Sequence, residues 1–139
     1  MTKIENLLPQ RPPFLMVDKL LFSSRSAIIG EKTFDKNFLF YQQTKDLSAL
    51  VPSPFLIEAL VQCGGAGLKQ CNLLGSNNWV LAKVIAAEFW QEVQKNDTIR
   101  LVVTTQKVSA KLLQQSGNVY LKANKILYAS WLCIPLKNG

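Results

Sequence analysis

The chain contains no histidine. Histidine is the one side chain whose ordinary charge change falls near neutral pH, and it is the commonest metal ligand. Its absence removes histidine-based triads, histidine–glutamate dyads within one chain and most zinc sites. Acid–base chemistry carried by this chain alone is left to a carboxylate, lysine, tyrosine, cysteine or water. No apolar run reaches the length a membrane span needs. The opening MTKIENLLPQRPP has an acidic residue and prolines where a signal peptide has its apolar core, so a cytoplasmic protein is expected. Cysteines are few and odd in number: Cys63, Cys71 and Cys133, without CxxC spacing. In a cytosolic protein they read as reduced thiols used as small apolar residues. Basic runs are missing as well. Sixteen Lys and Arg against nine Asp and Glu give a formal charge of +7, but the cations are scattered singly, with no aromatic interleaving. That speaks against nucleic acid, which calls for a concentrated stripe. It leaves a diffuse positive field that steers an acidic partner, or a basic surface that only confers solubility.

What is present suits a globular protein. With 139 residues, 48% of them hydrophobic and 18% charged, the chain is expected to form one domain over residues 1–139. No internal repeat, low-complexity tract or linker interrupts it. KIENLLPQ reads as a short helix ended by Pro9. FLMVDKLLFSS reads as a strand, and SRSAIIGEKTF as its hairpin partner with the turn at Ser24–Ser26. Residues 35–51 read as irregular, with an aromatic patch at Phe38, Phe40 and Tyr41. Ser53 is placed to cap a helix and Pro54 to open it, where its missing N–H costs nothing. The helix runs to about Cys71 and is apolar nearly all round, so it is expected to be buried on most sides. Gly64, Gly65 and Gly67 lower its propensity and suggest close approach of another backbone. Gly75 to Asn78 mark the exit loop. Strands follow: WVLAKVIAAEF, then a turn at Gln94–Asp97, then TIRLVVTTQKV with Ile99, Leu101 and Val103 on one face. Ser116-Gly117-Asn118 reads as a hairpin turn, and NVYLKANKILYASWLCIPL supplies one or two final strands. One apolar helix followed by an antiparallel meander predicts an α+β architecture, a sheet wrapped around that helix.

Between Asp46 and Lys69 the only charged residue is Glu58, in the stretch VPSPFLIEALVQCGG. An unpaired carboxylate in apolar surroundings costs several kcal/mol. Three readings stand side by side. Glu58 is solvated on an exposed edge; or it is structural, satisfied by Gln62 one turn on or by a partner subunit; or it is an acid or base held in an apolar site, where functional carboxylates are found. Helix capping does not account for it, since Glu58 lies beyond the capping-box position counted from Ser53.

Three blocks of the chain resemble one family. IENLLPQRPPFLMVDKLL, PSPFLIEALVQCGG and FWQEVQKNDTIRL are similar to the N-terminal block, the helix block and the Phe…Val…Gly-Asp…Leu block of the β-hydroxyacyl-[acyl carrier protein] dehydratases of the FabA/FabZ type. Gln10 stands where many members have His, and Asn96 stands for Gly. The resemblance implies the hotdog fold, an antiparallel sheet around one long central helix, with two subunits paired. It implies a site shared between subunits: a His from one, and a Glu or Asp on the central helix of the other, acting on an acyl thioester whose carbonyl is held by backbone N–H groups, one of them at the helix N-terminus. Carried over by position, Glu58 falls on the helix carboxylate and Gln62 on the Gln one turn later. Ser53 and Pro54 fall on the helix start, and Phe40 and Tyr41 on the aromatic pair before the catalytic loop. Gln43, Thr44, Lys45 and Asp46 replace the family's Gly-His-Phe-Pro, so Thr44 holds the position of the missing His. Threonine is no general base near neutral pH without another base to activate it.

The resemblance therefore implies a dehydratase-like subunit without a complete site of its own. Its expected partners are acyl carrier protein and either a second copy or a His-bearing homologue. It implies no cofactor, because the acyl chain arrives on the phosphopantetheine of the carrier or on coenzyme A. Two other functions fit the same residues: an acyl-thioesterase that uses Glu58 alone, and a non-catalytic acyl- or carrier-binding module.

Overall fold

Ser53–Gln70 forms an 18-residue α-helix, α1. The computed structural model describes residues 3–36, 38 and 50–136, and α1 is the only α-helix among them. Its start lies one residue from the expected cap. Pro52 is the N-cap, Ser53 is already helical, and no side chain caps the end. The Phe55 N–H closes the first turn on the Pro52 carbonyl at 3.1 Å, and Pro54 sits in that turn, where an N–H has no intrahelical acceptor. The far end closes in a Schellman turn. Asn72 takes φ 59°, its N–H bonds the Lys69 carbonyl, and the Leu73 N–H bonds the Leu68 carbonyl, each at 3.0 Å.

Among the described residues six strands surround the helix: β1 (Lys19–Ser23), β2 (Ala27–Thr33), β3 (Trp79–Phe89), β4 (Thr98–Val108), β5 (Leu113–Leu121) and β6 (Asn124–Pro135). They form one antiparallel sheet in the order β1-β2-β4-β5-β6-β3. The alternation read along β4 holds: Ile99, Leu101 and Val103 are fully buried. With Ile28, Val119, Leu127 and Trp131 they make the inner face, against Leu56, Leu60 and Leu68 of α1. This is the expected α+β arrangement, a sheet around a central helix. Two of the three helix glycines mark the seam. A Cβ on Gly67 would collide with Ile28, and one on Gly64 with the Gln115 amide, whereas Gly65 faces open space.

Three further local expectations are corrected. The first strand is shorter than FLMVDKLLFSS, because Phe14 and Met16 bond the side chain of Gln62. The N-terminal helix is a single 3-10 turn over Ile4–Asn6. Ser116-Gly117-Asn118 is not a turn but the middle of β5. Gly117 is needed there because a Cβ would lie 3.0 Å from Leu60 and from the Val102 carbonyl. The chain reverses instead at Ser109–Leu112, where the Ser109 N–H bonds the Leu112 carbonyl at 2.9 Å, and between β5 and β6, where Lys122 takes φ 56°. Asn96 takes φ 73°, a left-handed conformation open to glycine and asparagine, which accounts for Asn in place of Gly.

Candidate active-site groove

Gln62 is buried inside α1, yet all three of its hydrogen-bonding functions used here have partners. Its Oε1 accepts the Met16 N–H at 2.7 Å. Its Nε2 donates to the Phe14 carbonyl at 3.0 Å and to Glu58 Oε1 at 2.9 Å. Because Oε1 is fixed as the acceptor of a backbone N–H, the amide can face Glu58 only with its NH2. The Glu58 carboxylate is thus aimed by a residue one turn on, itself clamped to the segment that precedes β1. Of the three sequence readings, the first is set aside: Glu58 is half-buried and bonded, not simply solvated.

Glu58 and Gln62 open onto a groove of about 210 Å3 that follows one stripe of α1 through Val61 and Gly65 to Lys69. Glu58 and Lys69 are eleven residues apart, about 16 Å along the helix axis. The segment from Leu7 to Gln10 forms one wall and the start of β3, Trp79 to Leu81, the other. Gln10 keeps its buried Oε1 without a donor among the described residues. Ser53 and Pro54 stand at the helix N-terminus, just over one turn before Glu58, and do not line the groove. Thr44, Phe40 and Tyr41 lie outside the described residues. Phe38, the third member of the aromatic patch, packs edge-on against Phe34 and Phe55, each ring centroid 4.9 Å away.

Sequence reasoning missed Cys133 as a groove residue. It is the last inward position of β6, opposite Leu81 of β3, and the alternation Leu127, Ala129, Trp131, Cys133 was the available signal. Burial, with the negative charge of Glu58 as a second cause, pushes its thiol up to about 12. Burial alone pushes Cys63 up to about 12. Thiols held that high carry almost no thiolate at neutral pH and are inert. Alkylation of the native protein is therefore expected at the partly exposed Cys71 first. Glu58→Gln removes the second cause at Cys133. In an alkaline pH series read by mass spectrometry, Cys133 should react at lower pH in that variant while Cys63 does not move; equal shifts at both would show loosening of the fold instead.

Chemically, an oriented carboxylate in an apolar groove takes or gives one proton. Loss of a β-hydroxyl as water needs two such acts, removal of an α proton and protonation of the leaving oxygen. Among the described residues lining the groove, Lys69 is the other charged group, and the chain has no histidine to contribute.

A helix wrapped by a six-stranded antiparallel sheet defines a hotdog protein. No protein-family model matches the chain. Known proteins do. The chain is 28% identical over 142 residues to the 3-hydroxyacyl-[acyl-carrier-protein] dehydratase FabZ of Xylella fastidiosa, with 98% of this chain and 88% of that protein covered. It is 31% identical over 108 residues to the FabZ of Oenococcus oeni, with 77% and 78% covered. The structure matches a chain of the dehydratase heterocomplex ApeI:P from Xenorhabdus doucetiae with TM-score 0.87 at 10% identity, over 99% of this chain and 93% of that one. The chain belongs to the 3-hydroxyacyl-[acyl-carrier-protein] dehydratase FabZ family.

Proposed function

We propose that this protein is a catalytically incomplete dehydratase subunit that pairs with a histidine-bearing homologue and lends it Glu58. In the paired state the homologue's histidine faces Glu58 across the groove, the two dehydrate a β-hydroxyacyl thioester, and the site that would use Thr44 stays inactive. The acyl group arrives on the phosphopantetheine of an acidic acyl carrier protein, with no cofactor of this chain's own. Its thioester carbonyl lies toward Ser53 at the start of α1, where helix N–H groups favour negative charge.

One observation carries this reading: Glu58 is positioned by Gln62 on a groove whose wall is an edge strand, in a chain without histidine. An acid–base group is kept in register while its counterpart is missing. The +7 charge suits attraction of an acidic carrier. The names of the relatives specify carrier-bound hydroxyacyl substrates, and the structural neighbour is part of a dehydratase heterocomplex.

Co-expression with a histidine-bearing homologue tests the proposal. The pair should copurify and dehydrate a hydroxyacyl-carrier substrate, while this chain alone does not. Glu58→Ala here should lower the pair's rate about 100-fold or more, the scale of one positioned acid or base. Replacing the homologue's own helix carboxylate should leave the rate nearly unchanged, since that carboxylate faces Thr44. The opposite pattern, with the homologue's carboxylate essential and Glu58 dispensable, sinks the reading.

A further inference from the structure

A second, open pocket of about 380 Å3 adjoins the groove. Arg25, Leu73, Val108, Ser109 and Ala110 line it, and it shares Leu74, Asn77 and Trp79 with the groove. Trp79 thus borders both. It is the first residue of β3, and its indole N–H donates to the Leu74 carbonyl at 3.1 Å. That bond ties the ring to the loop leaving α1, at the end of the groove opposite Glu58, where the helix stripe runs out at Lys69. A large ring with one polar handle, bonded at that handle, makes a fixed wall.

We infer that Trp79 sets the length of acyl chain the groove accepts. This rests on the acyl-thioester reading above. A chain that reaches Trp79 stops; one more methylene has to displace the ring and break its bond to Leu74. With the ring gone, the two cavities join, and longer chains continue toward Val108 and Ala110.

Binding of β-hydroxyacyl pantetheine thioesters, from hydroxybutyryl to hydroxyhexadecanoyl, tests this by calorimetry on the purified protein in its native assembly. Affinity is expected to rise about fourfold with each methylene buried and to stop rising at a defined length. Trp79→Ala should move that limit to longer chains. Trp79→Phe, which keeps most of the bulk but lacks the N–H, should move it less and guards against a misfolded alanine variant. Adding Ala110→Trp to Trp79→Ala refills the rear cavity and should restore the original limit. A limit that stays put in both Trp79 variants while short chains still bind overturns the ruler and leaves the acyl groove standing. Absence of binding at every length in the unaltered protein overturns the acyl-groove reading and the ruler with it.

Discussion

Gln62→Leu is expected to lower the unfolding free energy by roughly 3 kcal/mol, far more than its neighbour Glu58 is worth. The substitution nearly conserves volume, so packing is not the cause. Leucine leaves the buried Met16 N–H and the Phe14 carbonyl without the partners they have at 2.7 and 3.0 Å. The buried Met16 N–H left unpaired costs about 1–3 kcal/mol, and the part-buried Phe14 carbonyl less. Glu58→Ala, by contrast, removes one bond at a half-buried carboxylate, leaves Gln62 its two backbone partners, and should cost about 1 kcal/mol. Urea unfolding measures both as shifts in midpoint at constant slope. The double variant should cost about as much as Gln62→Leu alone, because the bond between the two side chains is lost once. If Gln62→Leu proves no costlier than Glu58→Ala, the glutamine is not the clamp between α1 and the segment before β1.

That clamp also explains what was legible in the sequence and what was not. Glu58 stood out because it is the one charge in an apolar helix, and Gln62 because it lies one turn on. Their pairing follows from helix geometry alone. The bonds from Gln62 to Phe14 and Met16 span 48 and 46 residues, and no local pattern announces them. The apolar run FLMVDKLLFSS accordingly has the pattern of one strand, though its first part satisfies its backbone on a side chain. Ser116-Gly117-Asn118 failed for a related reason. Turn composition and close approach both call for glycine, and only the tertiary partners, Leu60 and Trp131, distinguish the two. The wrapped sheet was legible because the alternation in β4 and the all-round apolar character of α1 admit few other packings. The strand order was not, since β3 leaves its neighbours in sequence to pair with β6 at the edge.

Ile85→Lys is expected to abolish the proposed subunit pairing while leaving the fold of the chain intact. WVLAKVIAAEF has the composition of a buried strand, yet every residue of β3 from Val80 to Phe89 is exposed. Val80, Leu81, Val84, Ile85 and Phe89 are among the exposed large apolar side chains, with Ile134 of the adjoining β6. An apolar edge strand left open is an aggregation template that proteins ordinarily blunt or cover. Here one lysine, Lys83, and two register shifts interrupt it. A second hotdog subunit laid along β3 would cover this surface and close the groove walled by Trp79 to Leu81. Ile85 is 47% exposed in the single chain, so a lysine there should change the chain's own stability by no more than about 0.5 kcal/mol. In the proposed assembly the same lysine would be a buried, unpaired charge, expensive enough to break it. Sedimentation should give a two-chain mass for the unaltered protein, alone or with its homologue, and a one-chain mass for Ile85→Lys. The melting temperature should rise with protein concentration only in the former. Glu58 would remain bonded to Gln62 in the separated variant, so acyl binding should weaken without loss of that local geometry. A two-chain mass that survives Ile85→Lys would place the interface elsewhere and leave the groove open along β3.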